Sequence, residues 1–268
     1  MIVSGAKASD GHEALAKIRP MAPDALVRFE KLDLGSLASV SAFADRLAAA
    51  GRPIDLLINN ACTLQLLDRA VTVDGFELHL ATNFLSHFAL TGRLLPLLRA
   101  SKQPRVVQLT GTGRHHGQVD LKDVHLENGY TPLKAYSQSK LAMLIFAVEL
   151  QRRSDAQRWG LVGSSAQPVG AHAAKIANAI EVKGSEGWYR RALGVMSGHP
   201  QGRMPAAALP VIAEYDNQRD CAARKTLSDL IGPTVPEALD MRALDPVMGG
   251  KLWEAATEMT RVKWPEAR

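Results

Sequence analysis

Short apolar runs alternate with longer segments of helical periodicity over the first two thirds of the chain, and few folds accept that pattern. MIVSG (1–5) reads as a strand, and DGHEALAKIRP (10–20) carries apolar residues at helical spacing and stops at Pro20. ALVRFEKLDL (25–34) reads as a second strand. Ser36 is placed to cap a helix through about Ala49, with Leu37, Val40, Phe43, Ala44 and Leu47 on its buried face. IDLLINNA (54–61) is a continuous apolar run ending in two amides, the pattern of a strand buried on both faces. A long helix is expected from about Phe76 to Arg99, then strands RVVQLTG (105–111) and LVGSSA (161–166) on either side of a helix that contains Tyr136. Such alternation predicts an α/β fold, a mostly parallel sheet covered on both faces. Ligands of such sheets bind beyond the carboxyl ends of the strands. The amides Asn59 and Asn60, Thr110–Gly111 and Gln167–Pro168 all stand at such ends. Beyond residue 170 the pattern blurs: 171–179 and 204–215 read as helical, and GGKLWEAATEM (249–259) as a final helix.

The 268 residues suffice for one large domain. We read a single unit over 1–268, with a nucleotide-binding core in 1–170 and a substrate-binding and C-terminal region in 171–268. The net charge is +5, but the basic residues are scattered without interleaved aromatics, which argues against nucleic acid. Cys62 and Cys221 give neither a disulfide framework nor metal spacing. His115 and His116 stand beside Arg114 with no third ligand at metal spacing, so no metal is expected, and they read as a solvated or substrate-facing loop. Cys62 reads as a small buried residue rather than a nucleophile. Apolar stretches fall short of a membrane span and no signal core is evident, which predicts a soluble, cytoplasmic protein with no membrane partner. A homo-oligomer is possible.

AYSQSK (135–140) places a phenol and an ammonium four residues apart, on one helical face. A cation near a phenol lowers its pKa and readies it for proton transfer, although a surface Tyr beside a surface Lys has the same spacing.

LLINNA, ATNFLSHFALTGRLLPLL, VVQLTG and AYSQSKLAMLIFAVEL, in that order, resemble the short-chain dehydrogenase/reductase family. The likeness is greatest to its retinol-dehydrogenase-like and protochlorophyllide-reductase-like branch and covers roughly residues 1–170. The resemblance implies a doubly wound Rossmann-type sheet and an NADP(H)-dependent oxidoreductase interconverting a carbonyl and an alcohol on a small molecule. It makes Tyr136 the general acid or base. Lys140 would lower the Tyr136 pKa and bond the nicotinamide ribose, and Asn83 would hold a water of the proton relay. Asn59, Asn60 and Ala61 would line the adenosine ribose, Asp33 and Leu34 the adenine, and Pro168 the nicotinamide. Thr110 and Thr112 flank the position of the family's serine and become candidates for substrate contact. NADP is expected over NAD, because Lys7 is cationic and no acidic residue ends the first strand. Trp188, Tyr189, Leu193 and Met196 suggest a hydrophobic substrate.

Several positions depart from the family. No Gly-x-x-x-Gly-x-Gly turn occurs near the start, where backbone amides would hold the pyrophosphate, and MIVSG aligns with the family's second strand. An N-terminally truncated sheet is therefore expected, its centre unfilled or closed up. The family's serine is Gly111, and the spacing to Tyr136 fits a long-loop branch. Cys62 replaces a glycine, Val169 follows Pro168 where a glycine is usual, and Ala6 stands where an arginine often reads the 2′-phosphate. Together these favour an alternative reading, a catalytically impaired or silent relative that serves as a binding module.

Overall fold

The computed structural model describes residues 1–64, 68–166, 221–223, 235–237 and 240–265. Strand β1 (Ile2–Gly5) leads through helix α1 (Ala8–Met21) to β2 (Arg28–Lys31), and helix α2 (Leu37–Ala50) leads on to β3 (Leu56–Asn59). A helical run follows in three pieces: α3 (Leu78–Leu80), a π-helical turn (Ala81–Leu85) and α4 (Ser86–Arg99). Then come β4 (Arg105–Leu109), a 3-10 turn (Thr112–His116), α5 (Pro132–Gln157) and β5 (Val162–Ala166). Strands β6 (Cys221–Ala223) and β7 (Val235–Glu237) and helix α6 (Pro246–Thr260) complete the described elements.

The parallel, helix-covered architecture expected from the alternation is present, divided into two sheets. β1 and β2 pair in parallel as a two-stranded ribbon; the second sheet has the order β3-β4-β5-β6-β7, parallel except for β7. β1 is never hydrogen-bonded to β3, so both are sheet edges. The expectation that 54–61 is buried on both faces is corrected accordingly. Leu56 and Leu57 are half-buried and Ile58 is 40% exposed, because only β4 covers the strand laterally. β4 and β5, with a neighbour on each side, are almost wholly buried.

Local chemistry sets the helix limits. Ser36 caps α2 by accepting from Ser39 N (3.2 Å), and Gly51 closes the helix at φ +63°, a backbone state that glycine adopts without strain. Thr131 caps α5 by accepting from Lys134 N, with Pro132 in the first turn, where its missing N–H costs nothing. Asp245 and Pro246 repeat that arrangement at α6. α1 runs through Pro20 to Met21, one residue beyond the expected stop. β2 is shorter than 25–34, with Leu26 89% exposed ahead of it.

The main core lies where α4, α5 and α6 meet: Phe84, Phe88, Phe146 and Trp253 are buried and in edge or tilted ring contact. Trp264 packs on Trp253 at 4.4 Å and lies against Gly92, where a Cβ would come within 3.0 Å of its ring. The two sheets are tied together at their helix layer, where Ser86 donates to Leu34 O (2.6 Å). Among the described residues no helix is long and apolar enough to cross a membrane. The helices expected at 171–179 and 204–215 lie outside the described residues, as do Trp188, Tyr189, Leu193 and Met196.

Candidate functional site

α5 starts at the end of β4, and its first turns bring the AYSQSK residues into the core. Tyr136 is 3% exposed and Lys140 1% exposed. A surface pair is thus excluded. Lys140 Nζ donates to Leu109 O (3.0 Å), the last residue of β4, and stands 5.9 Å from the centre of the Tyr136 ring. Tyr136 rests its edge on Gly113, where a Cβ would meet Cε1 at 2.9 Å. Only glycine allows that approach. Gly117 is constrained likewise, since a Cβ there would lie 2.4 Å from Ser137 O. The 3-10 turn is therefore seated hard against the start of α5.

One expectation is overturned. Lys140 was expected to lower the Tyr136 pKa, yet the phenol lies well above its ordinary range. Burial is the main cause, and the charge of Cys62 acts in the same direction. Tyr136 is a neutral phenol at neutral pH.

Asn83 sits in the π-helical turn, fully buried. Its Nδ2 donates to Thr63 O (3.0 Å) and Ser139 Oγ (2.9 Å), while Oδ1 accepts from Thr63 N (2.6 Å). Both donors are thereby used. As placed, the side chain clamps the segment after β3 to α5. π-helical turns often mark functional positions in helices.

The two amides after IDLLI separate. Asn59 is buried and turns inward, donating to Gln108 Oε1 (2.9 Å) across the β3–β4 register and to Thr91 Oγ1 (3.1 Å). Its side chain does not line a ribose, because the last residue of β3 points to the covered face. Asn60 and Ala61 are exposed beyond the strand. Ala61 O is held by His87 Nε2 (2.8 Å). His87 is buried, and burial, with Lys140 adding to it, lowers its pKa to about 4 despite the Ala61 bond. It is neutral near pH 7, with Nε2–H as donor.

At the other sheet, Lys7 is exposed at the N-cap of α1, just beyond β1. Asp33 is exposed and forms a turn, its Oδ1 accepting from Gly35 N (2.8 Å) while its N–H donates to Ser39 Oγ (2.9 Å). Leu34 is half-buried.

Thr110 is turned inward. It is fully buried, and both its N–H (2.9 Å) and its hydroxyl (3.3 Å) point to Ala166 O on β5. Gly111 is extended and buried. Thr112 opens the 3-10 turn. Pro168 and Val169 lie outside the described residues. His115 and His116, read as a solvated or substrate-facing loop, are exposed, and the neighbouring Arg114 is buried. Arg242 reaches over this turn, donating to Gly117 O (2.5 Å) and Arg114 O (3.0 Å), and is itself paired with Asp240. No cluster of three metal-ligating side chains occurs among the described residues.

Three residues were missed. Glu77, His79 and His87 are all buried beside the predicted ones. His87 and Thr91 follow Asn83 at spacings of four and eight, the same-face rule that paired Tyr136 with Lys140. Glu77 stands just ahead of the helical run, where an acid caps.

Comparison with known proteins matches this geometry to a family. The profile of the short chain dehydrogenase family covers residues 1–168. Polyprenol dehydrogenase of Mus musculus is 44% identical over 172 residues, 63% of this chain and 51% of that protein. Retinol dehydrogenase 12 of Homo sapiens is 38% identical over 143 residues, 53% of this chain and 45% of that protein. The chain spans about half the length of these curated relatives. Among solved structures, an uncharacterized protein from Mycobacterium paratuberculosis superposes with a TM-score of 0.75 at 30% identity, over 99% of this chain and 85% of that one. Matched over more than half its length by the family profile, with the Tyr136–Lys140 helix packed at the end of β4, the chain belongs to the short chain dehydrogenase family.

Proposed function

We propose that the chain is an NADP(H)-dependent oxidoreductase that interconverts a carbonyl and an alcohol on a small hydrophobic substrate, with Tyr136 as the general acid or base. The observation that carries it is the burial of Tyr136 and Lys140 together on one face of α5, against the carboxyl end of β4. Burying titratable groups is costly, and such groups concentrate at functional sites. The relatives' names, polyprenol and retinol dehydrogenase, support a hydrophobic alcohol or its carbonyl counterpart.

The residues present fit the adenosine half of a dinucleotide. Lys7, Asp33, Asn60 and Ala61 are exposed just beyond the carboxyl ends of β1, β2 and β3, and the carbonyl of Ala61 is fixed by His87. A cation at Lys7 suits a 2′-phosphate better than a lone 2′-OH. The cofactor, when bound, supplies or accepts the hydride at the carbonyl carbon. Tyr136 donates its proton to the carbonyl oxygen in the reducing direction and takes one back from solvent. Burial keeps the phenol protonated near neutral pH, the form that can donate in the reducing direction. Lys140, seated by Leu109 O, supplies positive charge beside the oxyanion left on Tyr136.

Gly111 and the inward-turned Thr110 favour the second reading, binding without turnover. Removing one hydrogen-bond donor from such a site costs about 10²–10³ in rate. Incubation with NADPH and hydrophobic aldehydes, followed at 340 nm, separates the two. Aldehyde-dependent oxidation that Tyr136→Phe abolishes supports the enzyme; calorimetric NADP binding with no turnover supports the binding module.

A further inference from the structure

Beside Tyr136 lies a buried carboxylate–imidazole pair that neither the sequence motifs nor the proposed chemistry uses. Glu77 and His79 are fully buried, and His79 Nδ1 is 2.9 Å from Glu77 Oε1. The same carboxylate accepts from His79 N (2.9 Å) and Leu80 N (2.7 Å), capping the helical run that leads into Asn83. Burial alone would raise the Glu77 pKa. The His79 ring and then the two amides outweigh it and hold the carboxyl below its usual range. A carboxylate only accepts, so His79 Nδ1 carries the hydrogen and donates it. That bond fixes the plane of the imidazole. The fixed ring meets the ring of Tyr136 edge to face, with centroids 6.3 Å apart and planes at 81°.

A short polar side chain would cap this helix at less desolvation cost than a buried carboxylate and imidazole. What the pair adds is a rigid ring against the phenol. We propose that His79, oriented by Glu77, is a positioning residue that sets the plane of Tyr136, with Gly113 as the bed on which the phenol's edge rests. The proposal rests on the reading of Tyr136 as the proton carrier. Proton transfer tolerates little error in orientation, so a phenol free to rotate loses rate rather than substrate affinity.

The test uses the full chain with isotope-labelled tyrosines, the Tyr136 signals being assigned by their loss in Tyr136→Phe. In the wild type the two edges of the Tyr136 ring should give separate, slowly exchanging NMR signals. His79→Leu, which keeps volume but not the ring, should merge them and lower kcat by about 10- to 100-fold with KM within about two-fold. His79→Phe should restore the separate signals and most of kcat, and Glu77→Gln should fall between. Thermal melts confirm that each variant is folded; should His79→Leu not fold, His79→Phe and Glu77→Gln carry the comparison. Slow flips and unchanged kcat in His79→Leu, or His79→Phe no better than His79→Leu, overturn the proposal. The parent reading fails separately, through turnover that survives Tyr136→Phe. If the wild type shows no turnover, the ring signals alone decide.

Discussion

The two sides of the candidate site are built differently. On the Tyr136 side, β4 and β5 are inner strands, α5 is buried along most of its length, and Asn83 and Lys140 are held by protein partners. On the Lys7 side, β1 and β3 are sheet edges, and the candidate cofactor contacts Lys7, Asp33, Asn60 and Ala61 stand in the open. Asn59 and Asn60 show the contrast between neighbours: one is locked to Gln108 and Thr91, the other is exposed. On the proposed reading, the difference teaches that proton transfer is preorganised more firmly than nucleotide binding. Orientation of a proton donor demands a packed environment. A phosphate or ribose can be held by surface charge and backbone groups.

The largest test of that contrast is Tyr136→Phe. It keeps the ring and its packing and removes the proton, so turnover should fall by about 10²–10⁴-fold with circular dichroism unchanged. Survival of activity would leave the buried half without its assigned purpose.

Next is stability across the two halves. Phe88→Ala, in the core shared by α4, α5 and α6, should cost about 3–5 kcal/mol. Ile58→Ala, on the edge strand, should cost less than about 1 kcal/mol. Urea unfolding measures both, and similar losses would erase the distinction between edge and core.

The acid limb of stability comes third. His87 has a pKa lowered from 6.5 to about 4 in the folded state, so between those values the unfolded chain binds more protons. Stability is therefore full above about pH 6.5 and is lost as pH falls toward 4, by about 3 kcal/mol at 1.4 kcal/mol per unit. His87→Gln keeps a donor for Ala61 O and should flatten this limb. An unaltered pH profile would mean that His87 charges without penalty and that the Ala61 anchor is looser than its burial implies.

The smallest effect is expected at the open side. Lys7→Glu should lower the preference for NADP over NAD by on the order of 10-fold, more at low salt, read by calorimetry. Equal affinities in the wild type would remove Lys7 from the cofactor site.

How legible was this in advance? The parallel α/β order, the Ser36 cap and the pairing of Tyr136 with Lys140 follow from short-range patterns: periodicity, capping chemistry and i,i+4 spacing. These depend on neighbours in the chain, and so the sequence by itself determined them, down to the family. Tertiary structure decided the rest, because burial and partners come from residues far apart in sequence. β3 reads as a doubly covered strand, yet whether a strand lies in a sheet's interior depends on which strands flank it. Thr110 reads as a hydroxyl near substrate, yet the pleat and the β5 backbone turn it inward. The phenol of Tyr136 reads as acidified by Lys140, yet desolvation, which no spacing rule contains, raises its pKa instead. His79 meets Tyr136 only because α3 and α5 pack together, a contact between segments more than fifty residues apart.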